Sequence, residues 1–135
     1  MLVDAGPLIA IIDDRDDDHI RCVDALRGIA GTLRTTWPVL TEAMHLSWRR
    51  GDWPAQQRLW QLVERHQIDM VATNDDTIRN VAELMQRYRD APMDLADATL
   101  VEAAELTGDR TILTLDTHFH AYRLSRNRRF TVLPA

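Results

Sequence analysis

Short apolar runs alternate along this chain with longer segments whose apolar positions recur at helical spacing. Strands separated by whole helices cannot close as hairpins. They are joined by right-handed crossovers into a parallel sheet that helices cover. The pattern therefore predicts an α/β fold in three layers, with a central, mostly parallel sheet flanked by helices. At 135 residues the chain matches one domain, residues 1–135, without repeats, low-complexity tracts or linkers.

The elements are read as follows. Leu2 to Asp4 forms a first strand, and a helix runs from the Gly6-Pro7 signal to Ile12. Asp13 to Asp18 is a charged, solvated loop, and a helix follows over about 17–30. Thr32 to Trp37 is a β-branched strand, Pro38 opens a helix that Gly51 stops after Arg50, and Trp53 to His66 is the next helix. Asp69 to Ala72 is a strand, Asp75 or Asp76 starts a helix to about Asp90, and Asp94 caps a helix ending at Thr107. TILTL is a buried strand that ends at Asp116, and RRFTVLP supplies the last one.

Composition removes several classes. All 16 basic residues are arginine, so no lysine-dependent chemistry is available. A receiver domain lacks its lysine, and a phosphoaspartate phosphatase lacks a second aspartate two residues after the first, where Gly6 stands. The single cysteine, Cys22, has no intrachain partner, which predicts a reducing compartment, the cytoplasm. LVDAGPLIAII is broken by Asp4, Gly6 and Pro7 and is too short to span a membrane, so it reads as neither a signal peptide nor a transmembrane helix. A net charge of −5 argues against gripping nucleic acid by broad electrostatics alone.

The carboxylates carry the chemistry. In an open parallel sheet, ligands bind outside the C-terminal strand ends. Asp4 ends the first strand, Glu42 lies in the opening turns of the helix after the second, Asp97 lies in the first turn of a helix feeding the fourth, and Asp116 ends that fourth strand. Val101 and Ala104 follow Asp97 at helical spacing, which places this acid on the inward stripe of its helix. Clustered carboxylates repel one another unless a cation neutralises them, and hard oxygen donors without cysteine select Mg²⁺ or Mn²⁺. The predicted chemistry is metal-assisted hydrolysis of a phosphodiester. Asp94 has a sufficient role as a helix cap and is a secondary metal candidate.

The strings LVDAGPL, LTEAM, DLADATLVEAAE and ILTLDTHF, in this order and spacing, resemble the PIN-domain ribonucleases, in particular the VapC-type toxins of toxin–antitoxin pairs. The resemblance covers essentially the whole chain. It implies a PIN-like fold and a Mg²⁺- or Mn²⁺-dependent endoribonuclease that inhibits translation, forms a homodimer and is held in check by a small cognate antitoxin. It also implies that Asp4, Glu42, Asp97 and Asp116 bind the metal and form the catalytic set. Thr114 matches a threonine that helps to position the attacking water. Gly6 departs from the pattern, because the family often has Ser or Thr there.

Other features have plainer readings. His118 and His120 read as solvated loop residues with a substrate contact as the alternative, and His45 as packed or solvent-facing. Arg49, Arg123 and Arg126 are candidates for holding RNA phosphates, with solvated surface as the equal alternative. Arg50, Arg128 and Arg129 share that reading. Trp48, Trp53 and Trp60 read as core or dimer-interface packing rather than as base-stacking residues. The rival to an enzyme is a catalytically inactive PIN-like module that binds RNA or protein; the complete acid set weighs against it.

Overall fold

Leu2 and Val3 carry no exposed surface, and a strand this apolar is suited to the middle of a sheet covered on both faces. The computed structural model describes residues 1–135. In chain order the elements are β1 (Leu2–Val3), α1 (Ala5–Ile12), α2 (His19–Arg27), β2 (Leu33–Thr35), α3 (Trp37–Glu64), β3 (Ile68–Met70), α4 (Thr77–Arg87), α5 (Leu95–Thr107) and β4 (Thr111–Leu113). They are followed by a 3-10 turn over Thr117–His120 and by β5 (Arg123–Leu124), β6 (Arg128–Arg129) and β7 (Thr131–Leu133).

The main sheet has five strands in the order β3-β2-β1-β4-β7, all parallel. Leu2 pairs with Arg34 on one side and Ile112 on the other, and Val3 with Leu113. From β1 the chain winds outward to β2 and β3, then returns across the sheet to place β4 on the opposite side of β1. The order thus reverses between β1 and β4. That reversal opens a crevice at the C-terminal ends of these two strands.

Helices close both sides of the sheet in a three-layer α/β arrangement: α1 packs on α2 and α3, and α5 on α3, α4 and β1. One apolar core results. It joins Leu2, Val3, Leu8 and Ile9 to Val39, Leu59, Ile68, Leu100, Val101, Ile112 and Leu113.

The expected elements are present, with their ends displaced. β2 stops at Thr35 and Trp37 already belongs to α3. The third strand lies at Ile68–Met70 rather than at 69–72, because its pairing with Leu33–Thr35 sets its limits. β4 ends at Leu113, so Asp116 does not end the strand; it caps the following 3-10 turn. The last strand expected over RRFTVLP is split: Arg128–Arg129 pairs antiparallel with β5 outside the main sheet, and only Thr131–Leu133 joins β4.

The two helices expected on either side of Gly51 are one run with a sharp kink. Gly51 (φ −159°, ψ 23°) and Asp52 (φ 54°, ψ −150°) leave helical geometry, and Pro54 restarts it. Asp52 occupies a region that disfavours any residue with a Cβ. The loop before α2 is not simply solvated. Arg50 reaches back from α3 to Asp16 at 2.5 Å and lies 3.8 Å from Asp13.

A Cβ on Gly51 would sit 3.1 Å from Cβ of Ala55. Gly51→Ala should therefore destabilise the protein by about 1–3 kcal/mol through overpacking, read as a lower midpoint in urea unfolding. An unchanged midpoint would show that the kink relaxes freely.

Candidate metal centre

Asp4 follows β1 directly. Its backbone N–H still donates to Leu113 O at 3.0 Å, which keeps it in the sheet, while its side chain caps α1 by accepting from Ala5 N at 2.8 Å. The other carboxylate oxygen accepts from the Thr114 hydroxyl at 2.8 Å. Thr114 in turn accepts from the backbone N–H of Asp116 at 3.0 Å. One buried hydroxyl thus ties the acid after β1 to the loop after β4, across the crevice. In this structure the Thr114 proton goes to Asp4 rather than toward solvent.

Asp97 lies at the third position of α5. It forms a capping box with Asp94: Asp94 Oδ1 accepts from Asp97 N at 2.8 Å, and Asp97 Oδ2 accepts from Asp94 N at 3.4 Å. The Tyr122 hydroxyl lies 3.1 Å from that same Oδ2 and 2.9 Å from the Pro92 carbonyl, one proton between two acceptors. Edge-to-face contacts with Tyr88 and Phe119, both at 5.1 Å between ring centres, hold the Tyr122 ring. Asp97 Oδ1 has no protein partner.

Asp116 completes the edge. Its Oδ1 accepts from His118 N at 2.8 Å and lies 3.0 Å from His118 Nδ1. One donor atom each of Asp97, Asp116 and His118 fall within 4.8 Å of one another. His118 was missed as a member of this group, because His-x-His spacing is no metal signature and only the 3-10 turn at Thr117–His120 brings the ring back over Asp116.

The electrostatics bind the acids into one site. Burial raises the Asp4 pKa, against the lowering effect of Thr114 and Ala5, and the charges of Asp116 and Asp94 add to the rise. Burial also pushes Asp97 up to about 6, with Asp94 and Asp4 contributing. Partial desolvation raises Glu42, followed by Asp4, Asp94 and Asp116. Five carboxylates therefore sense one another, and no arginine is among the groups that offset the shifts of Asp4, Glu42 and Asp97.

The remaining candidates fall differently. Glu42 is exposed at the rim rather than part of a half-buried face. Arg123 donates through Nη1 to the carbonyls of His120 and Tyr122 and borders a separate cavity with Glu102 and Glu105. Arg49 and Arg126 are exposed, and neither forms an ion pair. None of the three is drawn into the acid group. Trp48 and Trp53 are half exposed, at 51% and 52%, so they are not core residues.

A hard divalent cation fits this donor set. The partly desolvated Asp4 and Asp97 have no arginine beside them, and Asp97 Oδ1 and Asp116 Oδ2 have no hydrogen-bond donor. Gly6 leaves room for the hydroxyl that is absent, since a Cβ there would make only ordinary contact with Leu115 at 3.5 Å.

Comparison with known proteins agrees with the fold. The family model for the PIN domain matches residues 1–124. Ribonuclease VapC26 of Mycobacterium tuberculosis is 29% identical over 135 residues, covering 99% of this chain and 100% of that protein. Among solved structures, VapC20 of Mycobacterium tuberculosis, described as a toxin that cleaves the sarcin–ricin loop, superposes with a TM-score of 0.81. It is 19% identical and covers 89% of this chain and 92% of its own. A toxin–antitoxin complex from Klebsiella pneumoniae matches with a TM-score of 0.65 at 19% identity, covering 86% of each chain.

Thr114→Val keeps the shape but strands Asp4 Oδ2 and the Asp116 N–H. A loss of about 1–3 kcal/mol in stability is expected, measured by urea unfolding; a neutral result would mean that water replaces the bridge. Asp97 supplies a pH test. Between an unfolded pKa near 3.9 and the folded value of about 6, the unfolded chain has released its proton while the folded chain holds it. This group's contribution to stability therefore falls as pH rises through that window. With chelator present, the wild type should lose stability relative to Asp97→Asn from about pH 4 to 6, and parallel profiles would contradict the shift.

Proposed function

This chain belongs to the PIN domain family, and from that premise we propose that it is a divalent-metal-dependent endoribonuclease acting as the toxin of a toxin–antitoxin pair. The observation that carries the reading is the meeting of Asp4, Glu42, Asp97 and Asp116 at the crevice between β1 and β4, where each raised pKa has a neighbouring carboxylate among its causes. Ribonuclease VapC26, matched from end to end, supports RNA as the substrate.

Asp4, Asp97 and Asp116 would hold Mg²⁺ or Mn²⁺, with Glu42 and Asp94 at the rim as further ligands. Bound there, the cation supplies Lewis-acid polarisation of the scissile phosphate and makes water a competent nucleophile at neutral pH. The chain does the positioning. Thr114 fixes Asp4 against Asp116, Tyr122 and the Asp94 N–H hold Asp97 Oδ2, and Oδ1 is left without a hydrogen-bond partner. Carboxylates held by hydrogen bonds cannot swing away when the phosphate arrives. This ordering role fits Thr114 better than direct contact with the attacking water, because both of its hydrogen bonds are made within the protein. His118 lies beside Asp116 and is a further candidate for contact with the ion or the substrate.

Arg49 and Arg126, exposed and outside any ion pair, would meet RNA phosphates. The match to a toxin–antitoxin complex supports a small antitoxin as partner, and translation is the process that the nuclease would stop. A homodimer follows the family pattern, and exposed Trp48 and Trp53 flanking the α3 kink offer it apolar surface. No helix is long and apolar enough to cross a membrane, and the cytoplasm, where RNA is met, is the proposed location.

Asp97→Asn should lower cleavage of cellular RNA by at least about 100-fold, since loss of groups that merely orient metal ligands already costs 10–100-fold. The checks are sequencing of new RNA 5′ ends after brief induction, circular dichroism to establish folding, and Mn²⁺ titration calorimetry. Cleavage that survives in a folded Asp97→Asn protein would remove the mechanism.

A further inference from the structure

Beside the acids lies an open depression of about 520 Å³, bordered by Trp37, Pro38, Glu42, His45, Asp94 and Leu95. Trp37 opens α3 and Leu95 opens α5, and they are 58% and 53% exposed. Large apolar groups left in the open on a concave surface of this size mark a binding site.

Charge narrows what can occupy it. Glu42 and Asp94 belong to both the depression and the acid centre, and no arginine borders it. Away from the cation at the acids, the depression offers a phosphate no arginine to pair with, so nothing on the Trp37 side holds the backbone of a nucleic acid. A flat, neutral, largely apolar group needs no such partner. It can lie on the indole with its polar edge toward His45 or Thr41.

Position supplies the rest. A strand whose scissile phosphate sits at the acids must place a neighbouring nucleotide within reach of this shelf, because the two sites share Glu42 and Asp94 as walls. We propose that the Trp37 shelf binds an unstacked nucleobase flanking the scissile phosphate, and so contributes to the choice of the base beside the cut. The proposal rests on the nuclease reading. Stacking on an aromatic face is available only to a base already out of a helix.

The test uses a synthetic single-stranded oligoribonucleotide that the wild type cuts with Mn²⁺, and versions carrying one abasic nucleotide at each position near the cut. Trp37→Ala should lower kcat/KM by roughly 5- to 150-fold, the range of one lost base–aromatic stack, and Trp37→Phe should keep most of the activity. At one flanking position the abasic substitution should abolish the difference between wild type and Trp37→Ala. A penalty that persists with every abasic substrate, or no penalty at all, overturns the shelf while leaving the nuclease intact. Sedimentation of both proteins covers the other occupant: a Trp37→Ala protein that becomes monomeric, with loss of activity independent of base, would assign this face to a second copy of the chain. A folded wild type that cuts no RNA would end both proposals together.

Discussion

Carboxylates brought together in a folded protein repel one another, and something in the chain must hold them against that repulsion. Here the restraint begins with one buried hydroxyl. Thr114 donates to Asp4 and accepts from the N–H of Asp116, joining the ends of two strands that are far apart in sequence and adjacent in the sheet. The parallel pairing of β1 with β4 makes this bond possible. Without it, Asp4 would be a desolvated anion held only by its cap, and the loop that carries Asp116 and His118 would lose its tether. The rest of the centre is assembled on that join: Asp97 enters from α5, held by Asp94 and Tyr122.

The acids of the site are also the residues that start its helices. Asp4 caps α1, Asp94 and Asp97 form the capping box of α5, and Asp116 caps the 3-10 turn. A structural role and a chemical one are therefore not rivals at these positions. A helix start exposes unpaired N–H groups that favour a carboxylate, and a sheet whose strand order reverses at β1 and β4 gathers several such starts around one crevice. At Asp97 and Asp116 the structural bonds fall on one carboxylate oxygen and leave the other open. Fold stability and a cation site can then share the same residues.

Legibility in the sequence followed the range of the interaction. Helical spacing and caps are local, so α1, α5 and the break at Gly51 could be read from neighbours along the chain. So could the assignment of Asp4, Glu42 and Asp97 to one sheet edge, since parallel topology leaves little choice. His118 escaped because its place depends on a 3-10 turn that no pattern announces. Tyr122 escaped because its partner, Asp97, is on another element and an aromatic cluster sets its orientation. For Trp48 and Trp53 helical spacing allows core or dimer-interface packing, and the kink at Gly51 and Asp52 leaves them half exposed, which removes only the core reading. The acidic loop before α2 looked solvated, and Arg50 ties it down from α3.

The sequence alone determined the class of fold, the order of the main-sheet strands and helices that build it, and the placing of Asp4, Glu42 and Asp97 at one sheet edge, because hydrophobic period, caps and crossover handedness are properties of short stretches of chain. Tertiary structure alone decided which oxygen of each carboxylate is held and which is open, that Thr114 spends its hydroxyl on Asp4 and Asp116, and that His118 and Trp37 flank the centre. Those outcomes depend on distances between residues remote in sequence, fixed by strand register and core packing to within a fraction of a hydrogen bond's length. No local pattern encodes them.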